Sequence, residues 1–214
     1  MTATTPHVVI DVSAALTQRA GIARYVRGLT EAMVAMDPTE RGFTVGTYSH
    51  SWKTPGKKPF GVAHVGTWLS PRQWRAALLV GHLTHLPVLP GNNIPNNATF
   101  LATDLAFPFA PPERVVVTVH DLTAITHPKV HTPLTRWFAG MMVRQLRRQR
   151  HRIVAVSQRT ARDLQRVGGI DPSLISVIYP GVGNAFLTVP TESEVSAVLA
   201  SLNIRPPFVL AVGT

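Results

Sequence analysis

Five residues, VVVTV at positions 115–119, limit the folds open to this chain more than any other stretch. They are β-branched and apolar without alternation, which is the pattern of a parallel strand covered on both faces. Such a strand needs a helical layer above and below it, and the flanking sequence supplies both. HVVID (His7 to Asp11), Phe43 to Tyr48, Ala63 to Val65, Thr99 to Ala102, Arg152 to Val156 and Leu174 to Ile178 read as further strands. Between them, Ile22, Val26, Leu29 and Met33 form one helical stripe over Gly21 to Met36. Ser70-Pro71 opens a helix that stops before Pro87, and another runs from about Thr135 to Gln149. Ser157 caps a helix ending at Gly168-Gly169, and Glu192 to Leu202 forms the last. Strand-helix alternation of this kind predicts an α/β chain with a Rossmann-like, doubly wound parallel sheet.

That fold class says where to look for chemistry. Ligands bind in the crevice beyond the carboxyl ends of the strands, so the segments after Asp11, Ala102, Val119, Val156 and Ile178 matter most. His120 and Asp121 follow the strongest strand directly, where an imidazole can donate to an oxygen or relay a proton. The competing reading is a His-Asp pair that merely closes a turn. In DVSAALTQRAGIARY a strand leads through a loop with Gly21 into a helix, an arrangement able to present backbone N–H groups to a phosphate. It lacks the lysine of a Walker loop and the remaining glycines of a dinucleotide fingerprint, so an ordinary helix start explains it equally. GVGNAF (181–186) has no third glycine and leaves no room for a crossover helix. His82 and His85 are spaced for one helix face but have no third ligand, and Pro128 between His127 and His131, with Pro133 just beyond, excludes their pairing on a helix. No metal site is expected.

Charge narrows the class of partner. Lys and Arg number 21 against 11 acids, a formal +10 that favours anionic ligands or surfaces. Six arginines and no acid lie between Arg136 and Arg152, with Leu134, Phe138, Met141 and Met142 on one side of the predicted helix. Arg144, Arg147 and Arg148 on that helix suit an anionic surface contact, although a solvated outer face accounts for them too. No nucleic-acid motif or aromatic-rich basic patch accompanies the charge, so nucleic acid is not expected. The chain has no cysteine, no secretory leader pattern and no apolar run of membrane-spanning length. These features suggest a cytoplasmic protein, soluble or peripheral at the inner face of the membrane.

Taken in order, IDVSAAL, AGIARYVRGL, VVVTVHDLTAITHP, IVAVSQRTARDL and SVIYPGVGNAF resemble the N-terminal, acceptor-side half of a group 1, or family 4, retaining glycosyltransferase of GT-B architecture. The resemblance runs from Val8 to Thr214 and is weakest between His50 and Pro90. It implies transfer of a hexose from a nucleoside-diphosphate sugar to a hydroxyl of a sugar or lipid-linked acceptor, with retention and without a cofactor or metal. It implies that His120 lies near the transferring sugar, that Asp121 orients its loop, and that Gly21 approaches the donor diphosphate. Arg24, Tyr25 and Ser157 would border the cleft. Where many relatives have Asn-Gly-Val-Asp, this chain has Pro180-Gly181-Val182-Gly183, so no ligand contact is assigned there.

The same resemblance sets the expected domain plan: residues 1–190 an acceptor-side domain, 191–207 a linker, and 208–214 the first strand of a donor domain absent from this sequence. On that plan the chain is truncated, inactive alone, and completed by a donor domain in cis or in trans. The alternative is a stand-alone Rossmann-like module that binds a phosphorylated ligand or a partner without catalysis. Acceptor choice would rest on the loops His50 to Gly61 and Leu86 to Asn97, which carry no readable pattern.

Overall fold

A computed structural model describes residues 7–18, 21–37, 42–51, 58–86, 98–183 and 186–211. The centres of both predicted acceptor loops, Asn184 and Ala185 of the GVGNAF turn and residues 212–214 lie outside them. Seven strands form one all-parallel sheet: β1 (His7–Asp11), β2 (Thr44–Ser49), β3 (Ala63–Gly66), β4 (Ala98–Ala102), β5 (Val115–Val119), β6 (Arg152–Ala155) and β7 (Ile175–Val177). Their order is β3-β2-β1-β4-β5-β6-β7. The chain therefore winds outward from β1 on one side, returns, and winds outward from β4 on the other. The crevice where the winding reverses lies between β1 and β4.

The helices are α1 (Ser13–Thr17), α2 (Gly21–Ala35), α3 (Pro71–Thr84), α4 (Thr123–Thr126), α5 (Pro133–Gln149), α6 (Gln158–Arg166) and α7 (Glu192–Ser201). The doubly wound, Rossmann-like α/β architecture expected from the sequence is the one observed. In β5, Val115, Val117, Thr118 and Val119 are all fully buried, as an unpatterned apolar run requires. Each buried valine contributes about 1.5–3 kcal/mol of transfer free energy, so the centre of the sheet is its most stable part. His82 is a satisfied core residue rather than a ligand. Its Nε2–H donates to the Phe107 carbonyl at 3.0 Å while Nδ1 accepts the Gln149 amide at 3.0 Å.

Helix starts follow side-chain caps read from the sequence. Ser70 and Gln73 form a reciprocal capping box at α3, and Ser157 accepts the Thr160 N–H at α6. Two local expectations are corrected. The loop predicted after β1 contains α1, because the Asp11 carboxylate accepts the Ser13 N–H at 2.9 Å and Ser13, Ala14 and Ala15 pack inward. On α5 the buried stripe is Ala139, Met142, Val143, Gln145 and Leu146, whereas Leu134, in the first turn, is 71% exposed. Among the described residues Phe208–Ala211 pairs with no strand, and Val209 is 98% exposed; a strand whose sheet belongs to another domain has no neighbour here to pair with.

The chain divides into two compact units, Met1–Pro180 and Gly181–Thr214. The first holds the whole sheet and both apolar clusters. The second has α7 as its helix, capped by a Thr191–Glu194 box, and none of the residues of α7 is buried.

Candidate active site

The site is assembled at the carboxyl ends of β4 and β5. His120, the residue after β5, is half-buried and held from three directions. Its Nε2–H donates to the Thr103 carbonyl just past β4 at 3.0 Å. Its own carbonyl accepts the Thr160 hydroxyl of α6 at 2.9 Å. The Tyr25 ring of α2 meets the imidazole edge-on, with centroids 5.0 Å apart. In the neutral ring these contacts occupy Nε2 and leave Nδ1 as a lone-pair acceptor with no protein partner among the described residues. Ser157 acts one step behind: its Oγ accepts the Thr160 N–H at 3.0 Å and so fixes the residue that holds His120.

Asp121 is exposed and folds its carboxylate back on its own loop. Oδ1 accepts the Thr123 N–H at 2.8 Å and the Thr123 hydroxyl at 2.5 Å, opening the short α4. His131 completes the chain, its Nε2 lying 3.0 Å from the Thr123 hydroxyl oxygen. Since that hydroxyl gives its proton to Asp121, the imidazole is the donor to it.

These residues open onto a pocket of about 610 Å³. Its walls are Arg72, Arg75 and Leu79 of α3, Asp104 to Ala106 after β4, His120 to Ala124 after β5, and Leu134, Trp137 and Phe138 of α5. Ile22 of α2 also lines it, whereas Gly21, Arg24, Tyr25 and Ser157 do not. Sequence reasoning found His120 and Asp121 here and missed Arg72, Arg75, Thr123, His131 and Trp137. One signal was available: in a doubly wound fold each crossover helix starts at the carboxyl edge of the sheet, so the first turns after Ser70 and Thr132 had to face this crevice.

A second cluster fills the gap between β1 and β4. Asp11 is buried, and burial, reinforced by the charge of Asp104, raises its carboxyl to about 7. The Ser13 N–H opposes that rise, and the Thr103 hydroxyl donates to the Asp11 carbonyl at 2.9 Å. His50 donates its backbone N–H to Ser13 Oγ at 3.0 Å, and burial lowers its imidazole.

The remaining candidates lie elsewhere. Gly21 is the first residue of α2, exposed, with open space where a Cβ would stand. Arg144, Arg147 and Arg148 are exposed along α5, with Arg147 lying against Gly169. Among the described residues no group of three or more His, Asp or Glu is placed to hold a metal, and no helix is long and apolar enough to cross a membrane.

Comparison with known proteins gives this geometry a context. Residues 19–184, more than half of the chain, match the family model described as Glycosyltransferase Family 4. Anabaena HepE in complex with UDP-glucose is similar in structure, with a TM-score of 0.52 at 13% identity, over 92% of this chain and 50% of that one. HepE structures with UDP, and with UDP and glucose, give TM-scores of 0.47 and 0.49 at 14% and 12% identity over the same shares. The chain thus spans about half the length of the solved structures it matches. Among curated proteins there is no match.

Proposed function

Because the chain belongs to Glycosyltransferase Family 4, we propose that it forms the acceptor-side half of an enzyme moving a hexose from a nucleoside-diphosphate sugar to an acceptor hydroxyl, with retention. The observation that carries this reading is His120, the first residue past β5, held at the wall of a 610 Å³ pocket in a chain of this family. HepE, a relative in fold, is bound to UDP-glucose in its crystal, which favours a nucleotide-sugar donor.

In this reading Thr103 locks the imidazole as the Nε2–H tautomer, and Nδ1 accepts a hydroxyl of the transferring sugar. An acceptor positioned by three neighbours orients the sugar without moving in the reaction, which is how a fixed site lowers the barrier. Asp121 is spent on its own turn and serves the chemistry by keeping the loop in shape. The exposed N-terminus of α2 at Gly21 turns the positive end of the helix to the donor diphosphate. The rest of the donor site belongs to a second domain, and no metal or cofactor takes part. The exposed Arg144, Arg147 and Arg148 support work at the inner face of the cytoplasmic membrane.

The test is transfer of labelled sugar from UDP-glucose and other nucleotide sugars, by the 214-residue chain alone and with a donor-side domain of the family supplied. Transfer by the pair and not by the chain alone is the expected result. Turnover by the chain alone overturns the half-enzyme reading, and an inert pair across all donors overturns the transferase itself.

A further inference from the structure

Two imidazoles border the pocket, and the reading above uses only one of them. His131, just before α5, is half-buried and lines the cavity beside Thr123. Its hydrogen bonding leaves no choice of tautomer. The Thr123 hydroxyl gives its proton to Asp121 at 2.5 Å, so the His131 nitrogen 3.0 Å from that oxygen, Nε2, must carry a hydrogen. Nδ1 is then the ring atom left without a protein partner among the described residues. A histidine that only packs is built differently in this chain. In the core, His82 spends both nitrogens, one on the Phe107 carbonyl and one on the Gln149 amide. His120 and His131 each spend one nitrogen, and both line the same pocket. The wall around them does not favour an anion, since Arg72 and Arg75 are matched by the carboxylates of Asp104 and Asp121. Trp137, 54% exposed, adds an aromatic face. An aromatic surface with balanced charge and a few fixed polar atoms suits an uncharged, hydroxyl-bearing ligand.

Resting on the transferase reading above, we propose that His131 fixes the acceptor: its Nδ1 accepts a hydrogen bond from an acceptor hydroxyl, and Thr123 and Asp121 act through the ring as positioning residues. His120 then takes the transferring sugar and His131 its receiving partner within one cavity, which favours a reactive geometry. The same chain of hydrogen bonds gives Asp121 a task beyond its own turn. Its hold on the Thr123 proton is what makes His131 Nε2 a donor. Stapling the loop needs that donor alone, and the second nitrogen is left for a ligand.

Nitrogen–proton NMR correlation spectra of the purified chain test the ring, with His131→Asn used to assign it. The Nε2–H form is expected in the parent. Thr123→Val, which keeps the shape and removes the hydroxyl, should mix the two tautomers. Methyl α-glucoside, methyl α-mannoside and methyl α-galactoside are the probes. At least one should move the Nδ1 resonance of His131 while the buried His151 stays where it was. With a donor-side domain of the family supplied, the same glycosides compete with water for the sugar of UDP-glucose or another nucleotide sugar. His131→Phe should lower the ratio of transfer to hydrolysis by about tenfold, the scale of one lost hydrogen bond. An Nδ1–H tautomer in the parent, or an Nδ1 silent toward all three glycosides, overturns the proposal. So does a ratio unchanged in His131→Phe, because transfer and hydrolysis falling together make the residue structural. The two readings fail separately. A sugar-sensitive Nδ1 in a chain that transfers nothing sinks only the enzyme, and transfer that ignores His131 sinks only the inference.

Discussion

Two clusters of acid and imidazole stand one strand apart at the same edge of the sheet, and they are built in opposite ways. Between β1 and β4, Asp11 is closed off from water, and its carboxyl is raised to about 7 by burial. Past β5, His120 and Asp121 border an open pocket, with each polar group given a neighbour and one ring nitrogen left over. The first arrangement stores an electrostatic cost in the scaffold. The second spends its hydrogen bonds on orientation and keeps a face for a ligand. Both sit where a doubly wound sheet collects polar residues, so position alone does not make a site; access to solvent separates them.

The largest effect should come from breaking the open cluster. His120→Ala, assayed in the complete enzyme, is expected to lower kcat by about 100-fold, the range of one positioned polar group, with little change in thermal stability. A fall in melting temperature that parallels the activity loss would make His120 a packing residue and erase the contrast.

Asp11→Asn sharpens the other side. Asp11 has a folded value near 7 against an ordinary 3.8, so the folded state binds the extra proton between those pH values. Its contribution to stability is therefore present at acid pH and lost as pH rises towards 7. The amide removes that loss. The variant should be more stable than the parent by about 2 kcal/mol or more at pH 8, with the gap closing near pH 4. Buried histidines act in the reverse sense. Burial holds His64 and His151 near 4, so their contribution is full above about 6.5 and falls as they are protonated. Without the opposing carboxyl, acid unfolding of the Asp11→Asn chain should be the steeper one in a denaturant series from pH 8 to 4. Curves of equal slope would count against the buried assignment of Asp11.

Ser157→Ala should cost about 1 kcal/mol, as loss of an N-cap does. Because Thr160 both starts α6 and ties down His120, the same variant should also lower kcat modestly, by a few-fold. Stability loss with full activity would restrict Ser157 to the helix.

The architecture was readable because its signals are local. Unbroken apolar runs mark buried parallel strands, and Ser70, Ser157 and Thr191 mark helix starts within three residues. His120 was readable because the carboxyl end of a central strand is a known address. Arg72, Arg75, His131 and Trp137 were not, since only tertiary folding brings the first turns of α3 and α5 to the same pocket. The α5 stripe was misjudged for a related reason: periodicity gives the direction of a side chain and not whether the core reaches as far as Leu134. The tail at Phe208–Ala211 has strand composition, but a strand exists only through a partner, and composition does not name one.

Thr103 touches both clusters, and it does so with chemically different halves. Its hydroxyl serves Asp11 and its carbonyl serves His120. Substitution can remove the first and cannot remove the second. Thr103→Val should cost the scaffold about 1 kcal/mol in chemical denaturation while kcat stays within twofold. The His120 imidazole is thus anchored by an atom that every amino acid carries, so drift at position 103 alters the protein's durability before it alters the placing of that ring.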